Sequence, residues 1–297
     1  MLAAVRPRST RRGPRNTLAA MKDLEGKTAV VIGGGSGIGR GIALAAAAER
    51  MAVAVADIDA DAARSVAAEI RDGGGEATTH ATDATDRAAL ETLADAVVER
   101  FGAADLLSNN AGVTFECPLV EASLDDWQWV MEFNLYTAVN ACTVFAPCMR
   151  EQGGGHIVNN ASLAGLAVFE GLGIGLYTTS KFALIAYSEM LRTELEDDDV
   201  GVSVLCPSMT RSNLAKTSAR NRPPRFGGPL RGPAGGMPDI PAEQMMAPEE
   251  VGRIALRGVA DNRLFILTHP EMLPAVVGRF RQIARDCLDP GDSAVDS

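Results

Sequence analysis

Short apolar segments alternate with longer amphipathic segments along most of this chain. The sequence predicts strands at 28–32, 52–56, 77–81, 105–108, 156–160, 201–205 and 264–268, and helices at 37–49, 60–71, 86–101, 124–149 and 178–195. Strands that are apolar throughout and separated by helices are typical of a parallel sheet covered by helices on both faces. The fold class that follows is α/β, a single doubly wound domain with a parallel sheet of roughly seven strands.

The two ends of the chain fall outside this alternation. Residues 1–22 hold six basic residues and no acidic one, which predicts a disordered basic extension. An organelle-targeting segment, or a start codon upstream of a domain that begins near Met21, would give the same pattern. The domain is then expected to cover residues 23–288, and the polar, acidic segment 289–297 is expected to fray.

One internal stretch also breaks the alternation, because six prolines and five glycines stand among the 21 residues 221–241. It belongs to an excursion of about 212–246 that leaves the carboxyl edge of the sheet, so we expect a substrate lid there. Its apolar side chains are Leu214, Phe226, Leu230, Met237, Met245 and Met246. The alternative is a solvated disordered loop, which would suit the arginines of this stretch. These are Arg220, Arg222, Arg225 and Arg231.

The charge balance excludes several kinds of partner. The formal net charge is −10, and about −16 without the basic residues of 1–22, so binding to nucleic acid or anionic lipid would have to overcome repulsion. No apolar run approaches the roughly 18–20 residues of a membrane span. The five cysteines are scattered and lack metal-ligand spacing, which favours reduced thiols, a cytoplasmic location and no metal site.

A glycine-rich turn follows the first predicted strand. Gly33, Gly37 and Gly39 allow a tight turn in which the backbone, including Ser36 and Ile38, approaches a pyrophosphate at the N-terminus of the next helix. Such a turn is a weak signal alone, since any tight strand-to-helix connection uses glycine. It is not a Walker A loop, because no Lys and Ser/Thr follow the final glycine.

Acidic and small residues close the next three strands. Asp57 ends the second strand, where its carboxylate can accept both hydroxyls of an adenosine ribose, so that turn, strand and acid together predict a dinucleotide site. Asp83 follows the third strand, where it could meet the adenine or equally well cap a loop. The small residues of 109–112 suit a backbone that passes close to the cofactor, although turns rich in asparagine are common anyway.

The sharpest local signal is the pair Tyr177 and Lys181. The i, i+4 spacing puts both side chains on one helix face, so the ammonium can lie near the phenol and lower its pKa from about 10. A Tyr/Lys pair is by itself usually a surface coincidence. Here it follows a dinucleotide turn, and Ser162 ends the fifth strand, which argues against coincidence.

Taken in order, these motifs resemble the short-chain dehydrogenase/reductase family over about residues 24–270. The matching positions are 32–39 for the family's TGxxxGIG turn, 109–112 for NNAG, Tyr177 and Lys181 for YxxxK, Asn134 for its helix asparagine and Ser162 for its serine. Five motifs in the family's order make a specific match.

The resemblance implies a Rossmann-type fold and the nicotinamide-dependent interconversion of a secondary alcohol and a ketone. Tyr177 would be the general acid/base and Ser162 would hydrogen-bond the substrate oxygen. Lys181 would hold the nicotinamide ribose and lower the pKa of the phenol, while Asn134 would anchor a water that leads protons to bulk. The alternative is a non-catalytic dinucleotide-binding sensor or scaffold, but such a module has no need of this set of groups.

The cofactor expected is NAD rather than NADP. Asp57 would repel a 2′-phosphate, and neither Ser36 nor Ile58 offers a compensating base. Arg40 could moderate this repulsion but is expected on the helix surface. The residues expected to bind NAD are Gly33, Ser36, Gly37, Ile38, Gly39, Asp57, Asp83, Asn110, Ala111, Gly112, Tyr177, Lys181, Pro207, Thr210 and Ser212.

Three features depart from the family pattern. Ile32 replaces a threonine whose hydroxyl ties the glycine turn to the NNAG segment, which puts local rigidity in doubt. The stretch 162–177 is about two residues longer than usual. Ser208 and Ser212 replace a glycine and a threonine, although a serine can make the same hydrogen bond to the carboxamide.

The substrate side is the least specified part of the chain. Segments 208–226 and 265–271 look similar to bacterial members that act on bulky alcohols, including the Cα-dehydrogenases of lignin-derived aryl ethers. We therefore expect a bulky apolar or aromatic substrate. The residues expected to line its pocket are Phe115, Phe169, Leu172 and Met209. The resemblance also implies a homodimer or homotetramer that pairs the long helices 124–149 and 178–195.

Overall fold

The structure, a computed structural model, describes residues 21–232 and 241–287. Within these residues seven strands form one parallel sheet. They are β1 Thr28–Ile32, β2 Ala52–Asp57, β3 Ala77–Ala81, β4 Leu106–Asn109, β5 Gly155–Asn160, β6 Val200–Cys206 and β7 Phe265–Leu267. Their order is β3-β2-β1-β4-β5-β6-β7. Strands β1 to β3 are added towards one edge of the sheet and β4 to β7 towards the other, so the order of addition reverses between β1 and β4. This confirms the predicted doubly wound, Rossmann-type α/β fold and places a topological switch point where β1 and β4 end.

Helices cover both faces of the sheet. They are α1 Gly37–Ala48, α2 Ala60–Asp72, α3 Arg87–Phe101, α4 Leu124–Met131, α5 Thr137–Glu151, α6 Gly175–Leu195, α7 Leu214–Asn221, α8 Pro248–Ala260 and α9 Leu273–Cys287. Apolar side chains of α1, α2 and α8 cover one face, and those of α3, α5 and the end of α6 cover the other. Because both faces are covered, β1 and β6 are buried along their whole length.

The predicted helix 124–149 is divided in the structure. α4 and α5 are joined by a π-helical turn, Glu132–Tyr136, which inserts a wider turn into an otherwise continuous helical run. Apolar spacing does not reveal such a turn, because the helix on each side keeps its own buried face. The π turn carries Asn134, one of the predicted site residues.

Three helices form where the sequence analysis predicts none: α7, α8 and α9. The start of α8 does carry sequence signals, since Pro248 is its first residue and Glu249 and Glu250 lie in its first turn. α7 and α9 are amphipathic helices in segments flanked by proline and glycine, which masked their periodicity.

Several expectations fall outside the described residues. These concern residues 1–20 of the expected basic extension, residues 233–240 in the middle of the expected lid, and the expected frayed segment 289–297. Among the residues that are described, no helix combines the length and the apolar character needed to cross a membrane.

Helices α1 and α8 touch backbone to backbone. A Cβ atom at Gly41 would lie 2.0 Å from the carbonyl oxygen of Pro248, and one at Gly252 would lie 2.2 Å from the carbonyl oxygen of Gly41. Only glycine permits so close an approach. The contact fixes the start of α8 beside the glycine turn that precedes α1.

We expect Gly252→Ala to lower the free energy of unfolding by about 1–3 kcal/mol, the usual cost of overpacking a close contact. Denaturant unfolding measures this. Gly278→Ala is the matched control, because a Cβ atom at Gly278, on α9, would have no atom of the described residues within 4 Å. The control should be neutral or slightly stabilising. Equal effects of the two substitutions would contradict the close α1–α8 contact.

Candidate active site

The glycine turn joins β1 to α1 and lies against the end of β4. Gly33 has a φ of +69° and Gly37 a φ of +51°, the left-handed region that favours glycine. A Cβ atom at Gly33 would lie 2.8 Å from the backbone nitrogen of Ala111, and one at Gly39 only 2.0 Å from the carbonyl oxygen of Gly33. Ser36, the N-cap of α1, makes no side-chain capping bond to a described residue, so the N–H groups of the first turn stay available to an anion.

Asp57 lies at the end of β2, directly beside this turn. Its Oδ2 accepts a hydrogen bond from the backbone N–H of Gly35 at 2.9 Å, and its Oδ1 accepts one from the backbone N–H of Asp59 at 2.9 Å. The carboxylate is therefore fixed at the carboxyl edge of the sheet, where the sequence predicts the adenosine ribose.

Arg40 does not balance the charge of Asp57. Its guanidinium donates to Glu69 at 2.7 and 2.9 Å and to Glu249 at 2.5 Å. Arg40 thus lies in an ion-pair network that ties α1 to α2 and α8, as the sequence analysis expects of a residue on the helix surface.

Asp83 and Ile38 have structural contacts of their own. Asp83 Oδ1 accepts hydrogen bonds from the backbone N–H and the hydroxyl of Thr85, at 2.9 and 2.8 Å, so the carboxylate closes the loop before α3. Ile38 is half-buried and packs against the apolar core under α1. The sequence analysis offers two roles for Asp83, an adenine contact and a loop cap. The described residues show the hydrogen bonds of the loop cap.

The turn is tied to β4 by Asn110 rather than by a threonine hydroxyl. The backbone N–H and the side-chain amide of Asn110 both donate to the carbonyl of Ile32, at 2.9 and 3.1 Å. The amide also donates to the hydroxyl of Ser108 at 3.0 Å. These bonds connect β1 to the segment after β4 and compensate for the missing threonine. Asn110 Oδ1 is buried and has no hydrogen-bond partner in the described part of the chain.

Ser162, Tyr177 and Lys181 meet at the carboxyl ends of β5 and β6. The Ser162 hydroxyl lies close enough to the Tyr177 phenol to lower its pKa, and Ser162 Oγ donates to the carbonyl of Pro207 at 3.5 Å. Lys181 Nζ donates to the carbonyl of Asn160 at 2.9 Å and lies 5.5 Å from the centroid of the Tyr177 ring. The structure thus brings together the three groups that the sequence places on β5 and α6.

Burial has the largest effect on the pKa values of Lys181 and Tyr177. It lowers the pKa of the Lys181 ammonium from 10.5 to about 8, because a charged amine loses hydration inside the protein. Burial also raises the pKa of Tyr177 above its ordinary value of 10, although the hydrogen bond from Ser162 opposes this. The sequence analysis expects a lowered phenol pKa, so for the protein alone that expectation is wrong. Desolvation outweighs an ammonium that is directed at a carbonyl.

Asn134 joins the segment after β4 to α6. Its Oδ1 accepts from the backbone N–H of Val113 at 2.6 Å, and its amide donates to the Val113 carbonyl and to Ser180 Oγ, both at 2.9 Å. A Cβ atom at Gly112 would lie 3.0 Å from Asn134 Oδ1 and 3.7 Å from Lys181 Nζ, which explains the small residue there. Because protein groups occupy the side-chain amide, a water anchored by Asn134 would have to bind its backbone.

The segment after β6 lies across the edge of the sheet from the glycine turn. The carbonyl of Pro207 accepts from the backbone N–H of Leu163 at 2.8 Å, and Thr210 is buried in a short parallel bridge with Met246. A Cβ atom at Gly37 would be 3.8 Å from Ser212 Cβ. This approach forms a cavity of about 360 Å³ at the start of α1. Its lining residues are Gly37, Arg211, Ser212, Asn213, Met245 and Pro248.

The predicted substrate residues fall into different apolar clusters. Phe115 packs edge-to-face on Trp129, with ring centroids 5.6 Å apart. Phe169 packs in a separate small cluster with residues of α9. Leu172 and Met209 are half-buried, and the backbone of Met209 bonds Met246. The described contacts therefore do not join Phe115 and Phe169 directly.

The sequence analysis missed the burial of Arg222. It treats all four arginines of 220–231 as suited to solvent, yet the Arg222 side chain is only 8% exposed and is paired with Asp126. The neighbouring Ser218 is also buried and accepts a hydrogen bond from the backbone N–H of Thr114 at 3.0 Å. An isolated arginine gives no sequence signal for burial. Asp126 and Trp129, three residues apart on α4, are the only hint, because a carboxylate and an aromatic ring on one helix face can bind a guanidinium.

Comparison with known proteins assigns the family. A family model described as short chain dehydrogenase matches residues 27–223. The chain belongs to the short-chain dehydrogenase/reductase family. It is 34% identical over 281 residues to a C alpha-dehydrogenase of Sphingobium sp. strain SYK-6, and the match covers 92% of this chain and 90% of that relative.

Solved structures of the short-chain dehydrogenase/reductase family agree with this assignment. A member from Burkholderia phymatum in complex with NAD is 32% identical, with a TM-score of 0.79, over 92% of this chain and 99% of that one. The apo form of LigD from Sphingobium sp. strain SYK-6 is 30% identical, with a TM-score of 0.74, over 90% of this chain and all of that one. The protein is accordingly an oxidoreductase with the fold of a nucleotide-binding dehydrogenase.

The buried ammonium of Lys181 should reduce the stability of the ligand-free protein. Between pH 8 and 10.5 the unfolded chain binds more protons at Lys181 than the folded one, so stability rises with pH across that window. Below pH 8 the full difference, on the order of 3 kcal/mol, opposes folding. We therefore expect Lys181→Met to raise the free energy of unfolding at pH 7 by about 1–3 kcal/mol, as measured by denaturant unfolding.

This gain should shrink as the pH approaches 10.5. The exposed Lys216, on α7, gives the control Lys216→Met, which should change stability by less than about 0.5 kcal/mol. A Lys181→Met protein that is less stable than the wild type at pH 7 would contradict this explanation.

Proposed function

We propose that this protein is an NAD(H)-dependent oxidoreductase that interconverts a secondary alcohol and a ketone. The observation that carries the proposal is the meeting of Ser162, Tyr177 and Lys181 at the carboxyl edge of the sheet, next to the glycine turn. A phenol beside a hydroxyl, with an ammonium 5.5 Å from the centroid of the phenol ring, is suited to proton exchange with a substrate oxygen.

The residues around the switch point fit a dinucleotide. The glycine turn is a cradle that a Cβ atom at Gly33 or Gly39 would fill, and α1 begins without a side-chain cap from the described residues. Asp57 offers a fixed carboxylate for ribose hydroxyls, and Asn110 Oδ1 is a buried acceptor that lacks a partner in the described ranges. The relative from Burkholderia phymatum was solved with NAD, which supports the same assignment.

Each catalytic side chain then has a separate task. A nicotinamide dinucleotide held by the glycine turn, Asp57 and Lys181 would supply the hydride acceptor or donor. Tyr177 gives a proton to, or takes one from, the substrate oxygen, and Ser162 holds that oxygen by a hydrogen bond. Lys181 binds the nicotinamide ribose and keeps a positive charge close to the phenol. Asn134 positions α6 and the segment after β4, so that these groups keep their distances.

Tyr177→Phe should leave NAD binding nearly intact and lower kcat at least about a hundredfold, because it removes only the proton donor. NADH formation at 340 nm with a panel of secondary alcohols measures turnover, and calorimetric titration measures NAD binding. Tyr136→Phe is the matched control, since the Tyr136 side chain is 53% exposed. A Tyr177→Phe protein that keeps most of its activity would refute the role of Tyr177.

The preference for NAD follows from the charges near the ribose. A 2′-phosphate next to the Asp57 carboxylate would meet a repulsion of up to about 4 kcal/mol per charge pair at an effective dielectric constant near 20. Arg40 is already paired with Glu69 and Glu249 and does not compensate.

We expect kcat/KM for NAD to exceed that for NADP at least about a hundredfold, which is less than the full repulsion allows. Asp57→Asn should reduce this ratio at least about tenfold. Asp72→Asn is the control, because Asp72 is exposed at the C-terminal end of α2, away from the glycine turn. A wild-type enzyme that prefers NADP would overturn the assignment.

The proposed substrate is bulky and apolar or aromatic. The apolar side chains around the segment after β4, among them Phe115 and Leu176, favour such a substrate over a small polar alcohol. The similarity to a C alpha-dehydrogenase over nearly the whole chain supports the same class.

We also propose a homodimer or homotetramer in the cytoplasm. Exposed apolar side chains on α4, the π turn and α6, the helices expected to pair, are available to such an interface. They are Leu124, Tyr136 and Met190. The cysteines are all free thiols, which agrees with a reducing compartment.

A further inference from the structure

Arg222 is buried in a segment whose other described arginines are exposed. It directly follows α7, and its side chain is 8% exposed, whereas those of Arg220 and Arg225 are 66% and 53% exposed. A buried guanidinium is costly unless it is paired and stacked. Its surroundings therefore indicate a specific role.

Asp126 and two aromatic rings hold this guanidinium. Arg222 Nη2 donates to Asp126 Oδ1 at 2.6 Å, and the guanidinium carbon lies 4.7 Å from the Trp129 ring centroid and 5.4 Å from that of Phe115. Such cation–π contacts are strongest where water is excluded, as it is here. Arg222 thus links α7 to α4 and also to Phe115, which belongs to neither helix.

The Asp126 carboxylate is fixed independently of Arg222. Its Oδ2 accepts hydrogen bonds from the backbone N–H and the hydroxyl of Ser123, at 2.8 and 2.6 Å, in the capping box that begins α4. α4 therefore keeps its own N-terminal cap without the arginine. Because the acceptor is already oriented, the ion pair holds the end of α7 near the start of α4.

The rest of the segment follows Arg222 onto the same surface. Ser218 Oγ accepts from the backbone N–H of Thr114, and the Leu230 N–H donates to the carbonyl of Ala219, both at 3.0 Å. Phe226 is buried in a cluster with Trp129 and Leu176. Leu176 directly precedes Tyr177 on α6, so this cluster includes the chain neighbour of the catalytic tyrosine.

We propose that Arg222 is a positioning and specificity-determining residue for the substrate side of the cleft. Its guanidinium fixes Phe115 and the segment 214–230 as one wall, shaped for a bulky apolar or aromatic alcohol. The inference rests on the proposed function for its substrate class, but the docking of the segment can be measured without turnover. Removing Arg222 should loosen this wall without changing the glycine turn or the catalytic groups.

The test compares Arg222→Met with Arg225→Met in the full-length protein. Arg225 lies in the same segment, stacks on Phe226 and pairs with Glu132, but it is exposed, so it controls for loss of a nearby charge. For a bulky aromatic alcohol such as 1-phenyl-1-propanol, Arg222→Met should raise KM at least about tenfold and change kcat less than about threefold. KM for 2-propanol and the Kd for NAD should stay within about twofold, and Arg225→Met should leave all four values within that range.

Two further variants distinguish positioning from general destabilisation. Arg222→Lys keeps the charge but loses the flat stacking surface, so KM should fall between those of the wild type and Arg222→Met. Combining Arg222→Met with Asp126→Asn should raise KM no further than Arg222→Met alone, because the asparagine oxygen can still accept from the Ser123 N–H and only the ion pair is lost. Additive effects of the two substitutions would overturn the proposal.

Hydrogen–deuterium exchange decides the inference even if no alcohol is turned over. In Arg222→Met, peptides that cover 113–117 and 214–230 should exchange faster than in the wild type, and those of β1 and α1 should not. Equal exchange in Arg222→Met and Arg225→Met, or faster exchange throughout the fold, would overturn the role of Arg222. A wild type that exchanges as expected but oxidises no alcohol would instead refute the proposed function.

Discussion

The arrangement of the site depends on the buried ammonium of Lys181. Its bond to the Asn160 carbonyl fixes α6 against the end of β5, and this places Tyr177, one helical turn earlier, beside Ser162. Gly112 must stay small, because a side chain there would meet both Asn134 and the ammonium. The charge is energetically unfavourable inside the protein, as its lowered pKa indicates, and it lies where the proposed proton transfer would need it.

Two walls extend from this centre along the carboxyl edge of the sheet. On one side the contacts centre on the backbone of the glycine turn, which has little room for side chains and which Asp57 binds through its carboxylate; Asn110 binds the carbonyl of Ile32, just before the turn. On the other side a side chain dominates, because Arg222 connects α7, α4 and Phe115. A family that keeps its cofactor and changes its substrate would be expected to divide its cleft in this way.

The sheet and the main site groups could be predicted from sequence because each depends on local patterns. Strands buried on both faces read as apolar runs, and the spacing of Tyr177 and Lys181 fixes a shared helix face. The π turn around Asn134 could not be predicted because apolar spacing does not reveal it. The tie that Asn110 makes to Ile32 and the burial of Arg222 could not be predicted, because each depends on partners distant in sequence. The prediction of a lowered pKa for Tyr177 was wrong for the same reason, since desolvation depends on the packing of several segments and not on one neighbouring lysine.

The central claim is that hydride passes between a carbinol carbon and a nicotinamide at this site. The most direct measurement uses a bulky aromatic secondary alcohol deuterated at the carbinol carbon, with NAD and the wild-type protein, and mass analysis of the dinucleotide after reaction. The account predicts one deuterium in the reduced dinucleotide for each ketone formed. Tight NAD binding without ketone and without deuterium transfer, across a broad panel of such alcohols, would contradict it and would leave a dinucleotide-binding protein without this catalysis.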